Sequence, residues 1–203
     1  MTFHSKNSII YRMIQFYKPN SKNTGCGCSF KYSAKDDCVF VNLIKQASWD
    51  ESKKRGSFAA NAQNPKASCS LKLSSTEMAD IISAIRRNAE FSGFHDSAKQ
   101  VTRIKFSPYH RPNKDNPQQT VQVGYSFSIS KESKENSQDK NSFLMGFTFG
   151  EGVKIESYFA YALAKSFEKA MAEQDNRSAA IPAAATPKND EAPKQESSGD
   201  DLW

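Results

Sequence analysis

Residues 120–130 alternate more strictly than any other segment, and this alternation limits the folds open to the chain. Apolar side chains stand at the odd positions and small or polar residues at the even ones. Successive side chains of a strand point to opposite faces, so the pattern predicts a strand with one buried face. Similar alternation occurs at 8–17, 26–33, 38–47, 67–73, 101–109 and 143–149. We therefore expect sheets that each bury one face.

Two segments instead have helical periodicity. Ser74 and Glu77 have the spacing of a capping box, and the following apolar stripe predicts a helix that ends near Ala89. A second helix is predicted at about 153–174, where Tyr158 and Phe159 belong to a wide apolar surface. So wide a surface predicts burial on more than one side and a homo-oligomer. The predicted order is four strands, helix, three or four strands, helix, with a long polar loop at 49–66.

The charge is distributed unevenly along the chain. Residues 1–180 contain 26 Lys and Arg against 17 Asp and Glu, a net charge of +9, whereas residues 181–203 contain 2 against 5. A basic body favours a polyanionic partner such as nucleic acid. The 23 aromatic residues, 14 Phe, 7 Tyr and 2 Trp, are enough to build a core and to stack on bases.

Several functional classes find no support in the sequence. The nine glycines are scattered rather than grouped in a phosphate loop, and no nucleophile motif accompanies His95-Asp96, so we expect no enzyme. Cys26 and Cys28 lack the spacing and the second pair typical of zinc sites, so we expect buried thiols and no metal or cofactor. No apolar run is long enough to span a membrane and no signal peptide is evident, which predicts a cytoplasmic protein, bacterial or in a phage-infected host.

Binding to a single strand requires cations for the phosphates and flat side chains for the unpaired bases. The sequence places these two kinds of residue close together. The predicted nucleic-acid-binding residues are Lys31, Lys45, Trp49, Lys53, Lys54, Arg55, Phe58, Lys72, Arg103, Lys105 and Tyr109. Phe30 and Tyr32 are predicted to face the core, which leaves Lys31 on the opposite face of its strand.

The chain from 176 to 203 is rich in Ala, Pro, Ser and charge, which predicts a disordered linker and tail after a domain at 1–175. Its last residues, Asp200, Asp201, Leu202 and Trp203, combine acidic groups with an apolar tip. Trp is a frequent anchor in interfaces, so these four residues are predicted to dock on a protein partner. The same acidic segment is also able to cover the basic body of its own chain.

The order of elements resembles the Whirly family of plant single-stranded DNA-binding proteins, trypanosome guide-RNA-binding proteins and related phage proteins. The resemblance is strongest at residues 68–88, a strand followed by the Ser-x-x-Glu-capped helix, and continues through Arg103-Ile104-Lys105-Phe106-Ser107-Pro108 to the final helix. The Lys-Gly-Lys-Ala-Ala-Leu motif of the plant proteins is missing. The acidic tail is similar to those of bacterial and phage single-stranded DNA-binding proteins.

The resemblance implies an α+β fold in which two antiparallel sheets pack crosswise, helices hold protomers together and bases lie across sheet edges. The similarity of the basic body and acidic tail to bacterial and phage single-stranded DNA-binding proteins implies a protein that coats single-stranded DNA during replication or recombination and recruits a polymerase, helicase or primase through its tail. One alternative is an RNA-binding or transcription-modulating module of the same fold. Another is a single-stranded DNA-binding OB barrel, although the predicted final helix does not fit that fold.

Overall fold

The computed structural model describes residues 13–136 and 138–180. Residues 13–136 and 138–169 belong to one compact unit, and residues 170–180 of the second unit are helical. The strands are β1 Met13–Lys18, β2 Cys26–Ser33, β3 Cys38–Lys45, β4 Ser48–Asp50, β5 Arg55–Ser57, β6 Ser68–Leu73, β7 Phe91–Asp96, β8 Gln100–Pro112, β9 Thr120–Ser133 and β10 Lys140–Phe147. The helices are α1 Ser75–Arg87 and α2 Phe149–Ala180, and a short 3-10 helix covers Ala59–Asn61.

The described strands form two four-stranded antiparallel sheets and one small hairpin. Sheet 1 has the strand order β1-β2-β3-β6, and sheet 2 has the order β10-β9-β8-β7. Strands β4 and β5 pair only with each other. The predicted α+β class with antiparallel sheets and two helices is therefore confirmed. An OB fold is a single barrel, whereas this chain has two separate four-stranded sheets and a helix after the last strand. The OB-barrel alternative is therefore wrong.

The core lies between the inner faces of the two sheets. Phe30 of sheet 1 lies 6.0 Å from Phe127 of sheet 2, and Phe16 lies 5.1 Å from Phe147, measured between ring centroids. These rings are tilted or edge-on, which aromatic pairs prefer to a face-to-face stack. Because the inner faces meet in this way, the outer faces of the two sheets point to opposite sides of the unit.

Helix α2 closes part of the core. Phe159 is fully buried with its ring centroid 5.3 Å from that of Phe30, and the Tyr158 hydroxyl accepts a hydrogen bond from the Tyr32 amide at 2.8 Å. Both residues thus pack inside their own protomer. Their predicted place on an oligomer surface is therefore wrong, because the apolar stripe of α2 is turned toward the core at these positions.

Helix α1 begins where the sequence predicts. The Ser74 hydroxyl accepts from the Glu77 amide, and the Glu77 carboxylate accepts from the Ser74 amide, so the capping box is complete. The helix ends at Arg87, and the cap residue Asn88 has the left-handed conformation common at helix C-termini.

Several elements differ from the prediction. The polar loop at 49–66 contains the β4–β5 hairpin, and the unpredicted strand β7 covers 91–96. Phe149, which the alternation placed in a strand, begins α2 instead, and α2 runs to Ala180, past the predicted helix end near 174 and the predicted start of the linker at 176. Part of the strand predicted at 8–17 lies outside the described residues. Neither helix of the described ranges has the length and apolar character together that a membrane span requires.

Candidate nucleic-acid interface

A row of cationic and aromatic side chains crosses the outer face of sheet 1. Lys31 of β2 lies opposite Phe40 of β3, and Phe40 lies opposite Lys72 of β6. The Lys72 ammonium stands 5.3 Å from the centroid of the Phe40 ring and 3.7 Å from the Asp36 carboxylate at the end of the row. Phe40 is only half-buried, although residues on either side of it in β3 are fully buried. We call Lys31, Phe40 and Lys72 the cation–aromatic row.

The next row of the same face is polar. Ser29, Asn42 and Ser70 lie opposite one another on β2, β3 and β6. They form the floor of a groove of about 600 Å³ that crosses the strands. Tyr17 lies at the β1 end of this groove, and Lys131 and Gln100 of sheet 2 lie at the β6 end. We call it the sheet-1 groove.

Both ends of the sheet-1 groove have features that suit a nucleic-acid strand. The Tyr17 side chain is 53% exposed and its ring lies 5.3 Å from that of Phe58. At the other end the Lys131 ammonium donates to the Ser70 carbonyl at 2.9 Å, and no carboxylate of the described residues pairs with it. No described acidic side chain lines the groove, so no carboxylate there would repel a phosphate.

Lys45 lies where the two sheets meet. Its ammonium donates to the Asn141 side chain at 3.1 Å and stands 4.9 Å from the centroid of Phe143. Its partners are neutral, so its charge remains available to an anion.

Most of the hairpin residues predicted to bind nucleic acid already contact acidic residues of the same hairpin. Lys53 lies 3.7 Å from Asp50, and both Lys54 and the Trp49 indole donate to Glu51. Hydrogen bonds from Lys54 and Trp49 lower the pKa of the Glu51 carboxyl. The two lysines are therefore locally neutralised. Arg55 is exposed, with no ion pair among the described residues.

The outer face of sheet 2 has a more balanced charge. Arg103 pairs with Glu132 at 3.1 Å, and Lys105 pairs with Glu90 at 2.7 Å. Phe94 is 58% exposed, and the Arg103 guanidinium stands 6.0 Å from its ring centroid. Arg103 and Lys105 lie on the predicted outer face, but each already has a carboxylate partner.

The predicted residues therefore do not form one patch: they are divided among the outer faces of the two sheets, the β4–β5 hairpin and the place where the sheets meet. The structure brings Lys31 and Lys72 together with Phe40, which was not among the predicted residues. Its signal was present in the sequence, because Phe40, Asn42 and Ile44 share the face of β3 opposite the core residues. Tyr109 lies on the second face, at the far end of β8.

His95 and the cysteines, which the sequence analysis considered for catalysis or metal binding, have structural surroundings that explain them. His95 lies 2.6 Å from the Glu77 carboxylate, next to the cap of α1. Burial raises the pKa of Cys26 and that of Cys69 to about 11, so these thiols stay protonated at neutral pH. Within residues 13–136 and 138–180, no cluster of His, Cys, Asp and Glu is suited to a metal ion. The predicted docking residues Asp200, Asp201, Leu202 and Trp203 lie outside the described residues.

Comparison with solved structures identifies the fold. The chain is similar to WHY1 from Arabidopsis thaliana, with a TM-score of 0.56 and 15% identity over 86% of this chain and 96% of that chain. WHY3 from the same plant gives a TM-score of 0.53 and 15% identity over 86% of this chain and 99% of that chain. The plant transcriptional regulator PBF-2 gives a TM-score of 0.52 and 15% identity over 81% of this chain and 86% of that chain. The sequence matches no protein-family model and no curated protein. The chain therefore has the fold of the Whirly proteins, the family that its sequence pattern resembles.

Proposed function

We propose that this protein binds single-stranded nucleic acid, with single-stranded DNA as its main ligand, and that the sheet-1 groove is the principal binding surface. The observation that supports this most is the cation–aromatic row beside a groove with a polar floor and no acidic lining. A stacking surface flanked by cations is what unpaired bases and their phosphates require.

In this proposal the chemistry is divided between two rows of side chains. Phe40 offers its ring to a base, while Lys31 and Lys72 on either side of it attract the phosphates. Ser29 and Asn42 hydrogen-bond to base edges or sugars in the groove. Stacking is tolerant of sequence because every base has a π-face, so the expected preference among sequences is weak.

The test is competition among single-stranded DNA, single-stranded RNA and duplex of equal length at fixed salt. The wild type should prefer single strands, with a log–log salt slope of about −0.7 per neutralised phosphate. The Lys31→Gln/Lys72→Gln variant should bind more weakly, with a slope shallower by up to about 1.4. Lys114→Gln, which removes one exposed charge from the β8–β9 turn, is the matched control. Equal affinity for duplex and single strand, or a flat salt response, would contradict the proposal.

Two roles are compatible with such binding. The first is coating of single strands during replication or recombination. The second is modulation of transcription, which is favoured by the similarity to the plant transcriptional regulator PBF-2. Selection from a random single-stranded library separates them, because a coating protein enriches no motif and a regulator enriches one. RNA binding is a third outcome of the same competition experiment.

We also propose that the protein is a homo-oligomer. Helices α1 and α2 enclose an apolar groove of about 630 Å³, with Ile82 on one side and Leu163 and Phe167 on the other. Phe167 is 65% exposed, although it is aromatic. A second copy is the expected occupant because the Whirly resemblance implies that helices hold protomers together. Phe167→Asp should dissociate the assembly in sedimentation at micromolar concentration, and a monomeric wild type would refute it.

The acidic segment at 196–203 supports a further part of the proposal, recruitment of a replication protein such as a polymerase, helicase or primase. Asp200 and Asp201 would pair with cations of the partner, and Leu202 and Trp203 would enter an apolar pocket. A pull-down with wild type and with Leu202→Ala/Trp203→Ala tests this. Equal recovery of replication proteins by both forms would show that the segment has no docking role.

A further inference from the structure

The far end of sheet 2 is irregular where β8 pairs with β9. The pairing of β8 with β9 shifts between Tyr109 and His110, which marks a β-bulge. Opposite Tyr109 stands Gly124, whose φ is +146° and whose Cβ, if present, would lie 1.9 Å from the Phe147 carbonyl oxygen. Only glycine fits this position. Bulges and strand glycines often mark places where a strand re-aims a side chain or where a ligand approaches the backbone closely.

The bulge places Tyr109 beside the glycine of the third strand. A Cβ on Gly146 would lie 3.5 Å from two carbons of the Tyr109 ring, so the ring rests against bare backbone. The Arg111 guanidinium carbon stands 5.2 Å from the centroid of the same ring. Tyr109 is half-buried and Arg111 is exposed, with no ion pair among the described residues. An aromatic ring and a free guanidinium therefore stand together, and both kinds of group stack on unpaired bases.

A groove of about 470 Å³ opens beside this pair. This volume lies within the range of roughly 300–1,000 Å³ that is typical of sites for small molecules. Its other polar lining comes from Lys18, from Asn20 and Thr24 of the β1–β2 loop, from Ser126 of β9 and from Thr148. We call it the bulge groove.

The charge of the bulge groove favours an anion. No described acidic side chain lines it. The nearby carboxylate of Glu151 is engaged by the Lys18 ammonium at 2.5 Å and by the Thr148 amide at 2.7 Å. Arg111 thus has no competing carboxylate for a phosphate that enters beside Tyr109.

We propose that the bulge groove is a second subsite for single-stranded nucleic acid, which takes one base against Tyr109 and the adjoining phosphate at Arg111. The inference rests on the proposed function but on different residues, since the bulge groove lies on sheet 2 and the cation–aromatic row on the outer face of sheet 1. Each protomer then holds single strands at two separate places.

The experiment uses the full chain and a thymidine oligonucleotide with one 5-iodouracil, which crosslinks on irradiation to aromatic rings in contact with it. Peptide mapping of the wild type should place a crosslink on Tyr109. The crosslink should persist in the Lys31→Gln/Lys72→Gln variant at a concentration where that variant still binds. Arg111→Gln should reduce its yield and lower affinity about fivefold, whereas Lys114→Gln in the neighbouring turn should not.

The outcomes separate the two proposals. If the wild type binds the oligonucleotide and crosslinks elsewhere but never on Tyr109, the second subsite is wrong and the proposed function stands. If the wild type does not bind single strands at all, the proposed function itself is wrong. Tyr109→Leu, checked for an unchanged unfolding temperature, gives an independent measure, and unaltered affinity in a folded Tyr109→Leu protein also overturns the second subsite.

Discussion

Phe40 tests the proposed interface at the scale of one side chain. Phe40→Leu keeps an apolar residue of similar size on β3 but removes the π-face. Stacking contributes about 1–3 kcal/mol per base, so affinity for single-stranded DNA should fall by at least about fivefold. The salt slope should stay unchanged because no cation is lost. Fluorescence anisotropy at several salt concentrations measures both quantities, and a changed slope with unchanged affinity would contradict the assignment.

The cysteine thiols give a prediction about pH. Burial raises the pKa of Cys26 and Cys69 from 9.0 to about 11, so the folded state favours the protonated thiols. Their contribution to stability is complete below the unfolded pKa and is lost as pH rises from about 9 to 11. At pH 8 iodoacetamide should therefore modify the native protein far more slowly than the urea-unfolded protein, as mass spectrometry would show. Equal rates would mean that these thiols are accessible.

Single residues also show what the sequence can predict. The exposure of Lys31 followed from alternation, because its neighbours Phe30 and Tyr32 were expected to face inward. The neutralisation of Lys53 and Lys54 was missed, although Asp50 and Glu51 each stand three residues earlier. The place of Phe40 beside Lys72 was beyond the sequence pattern, because it depends on the register between β3 and β6, which are far apart in the chain.

Among the elements, helix α1 depends most clearly on its cap. Ser74→Ala removes the hydroxyl that accepts from the Glu77 amide at 3.2 Å. The loss of such a cap costs about 1 kcal/mol in the free energy of unfolding. Urea unfolding measures the difference, and Ser75→Ala, one residue into the helix, is the matched control. Equal destabilisation by the two substitutions would show that the cap is not the cause.

Element boundaries were missed where short-range signals disagreed. The alternation of 143–149 continued past the end of its strand to Phe149, yet a second capping box was present. The Thr148 amide donates to Glu151, and the Glu151 amide donates to the Thr148 hydroxyl. Strand β7 was missed because its outer face has only Phe94 as an apolar residue, which fits an edge strand with a single neighbour.

At the scale of the whole molecule, the two proposed grooves use different sheets, so their effects should be independent. Combining Lys31→Gln/Lys72→Gln with Arg111→Gln should give losses of binding free energy that add within about 0.3–0.5 kcal/mol on an oligonucleotide that occupies both sites. Titration calorimetry or fluorescence anisotropy measures the binding free energy of the wild type, of each variant and of the combined variant. A combined loss much smaller than the sum would mean that the two grooves contact the same nucleotides.

The fold class was predictable because alternation and capping are local properties of the sequence. The division of the predicted binding residues among separate surfaces was not predictable, because it follows from how the inner faces of the two sheets meet through pairs such as Phe30 and Phe127.

The hydrogen bond from Lys131 to the Ser70 carbonyl has a consequence for how copies of this protein can line up on a strand. β6 is an edge strand of sheet 1, and edge strands with free backbone groups are open to pairing with another chain. Lys131 occupies one such carbonyl and leaves a charge beside the edge. Under the proposed coating role, we therefore expect neighbouring copies on a long strand to meet through side chains rather than by extending one sheet into the next.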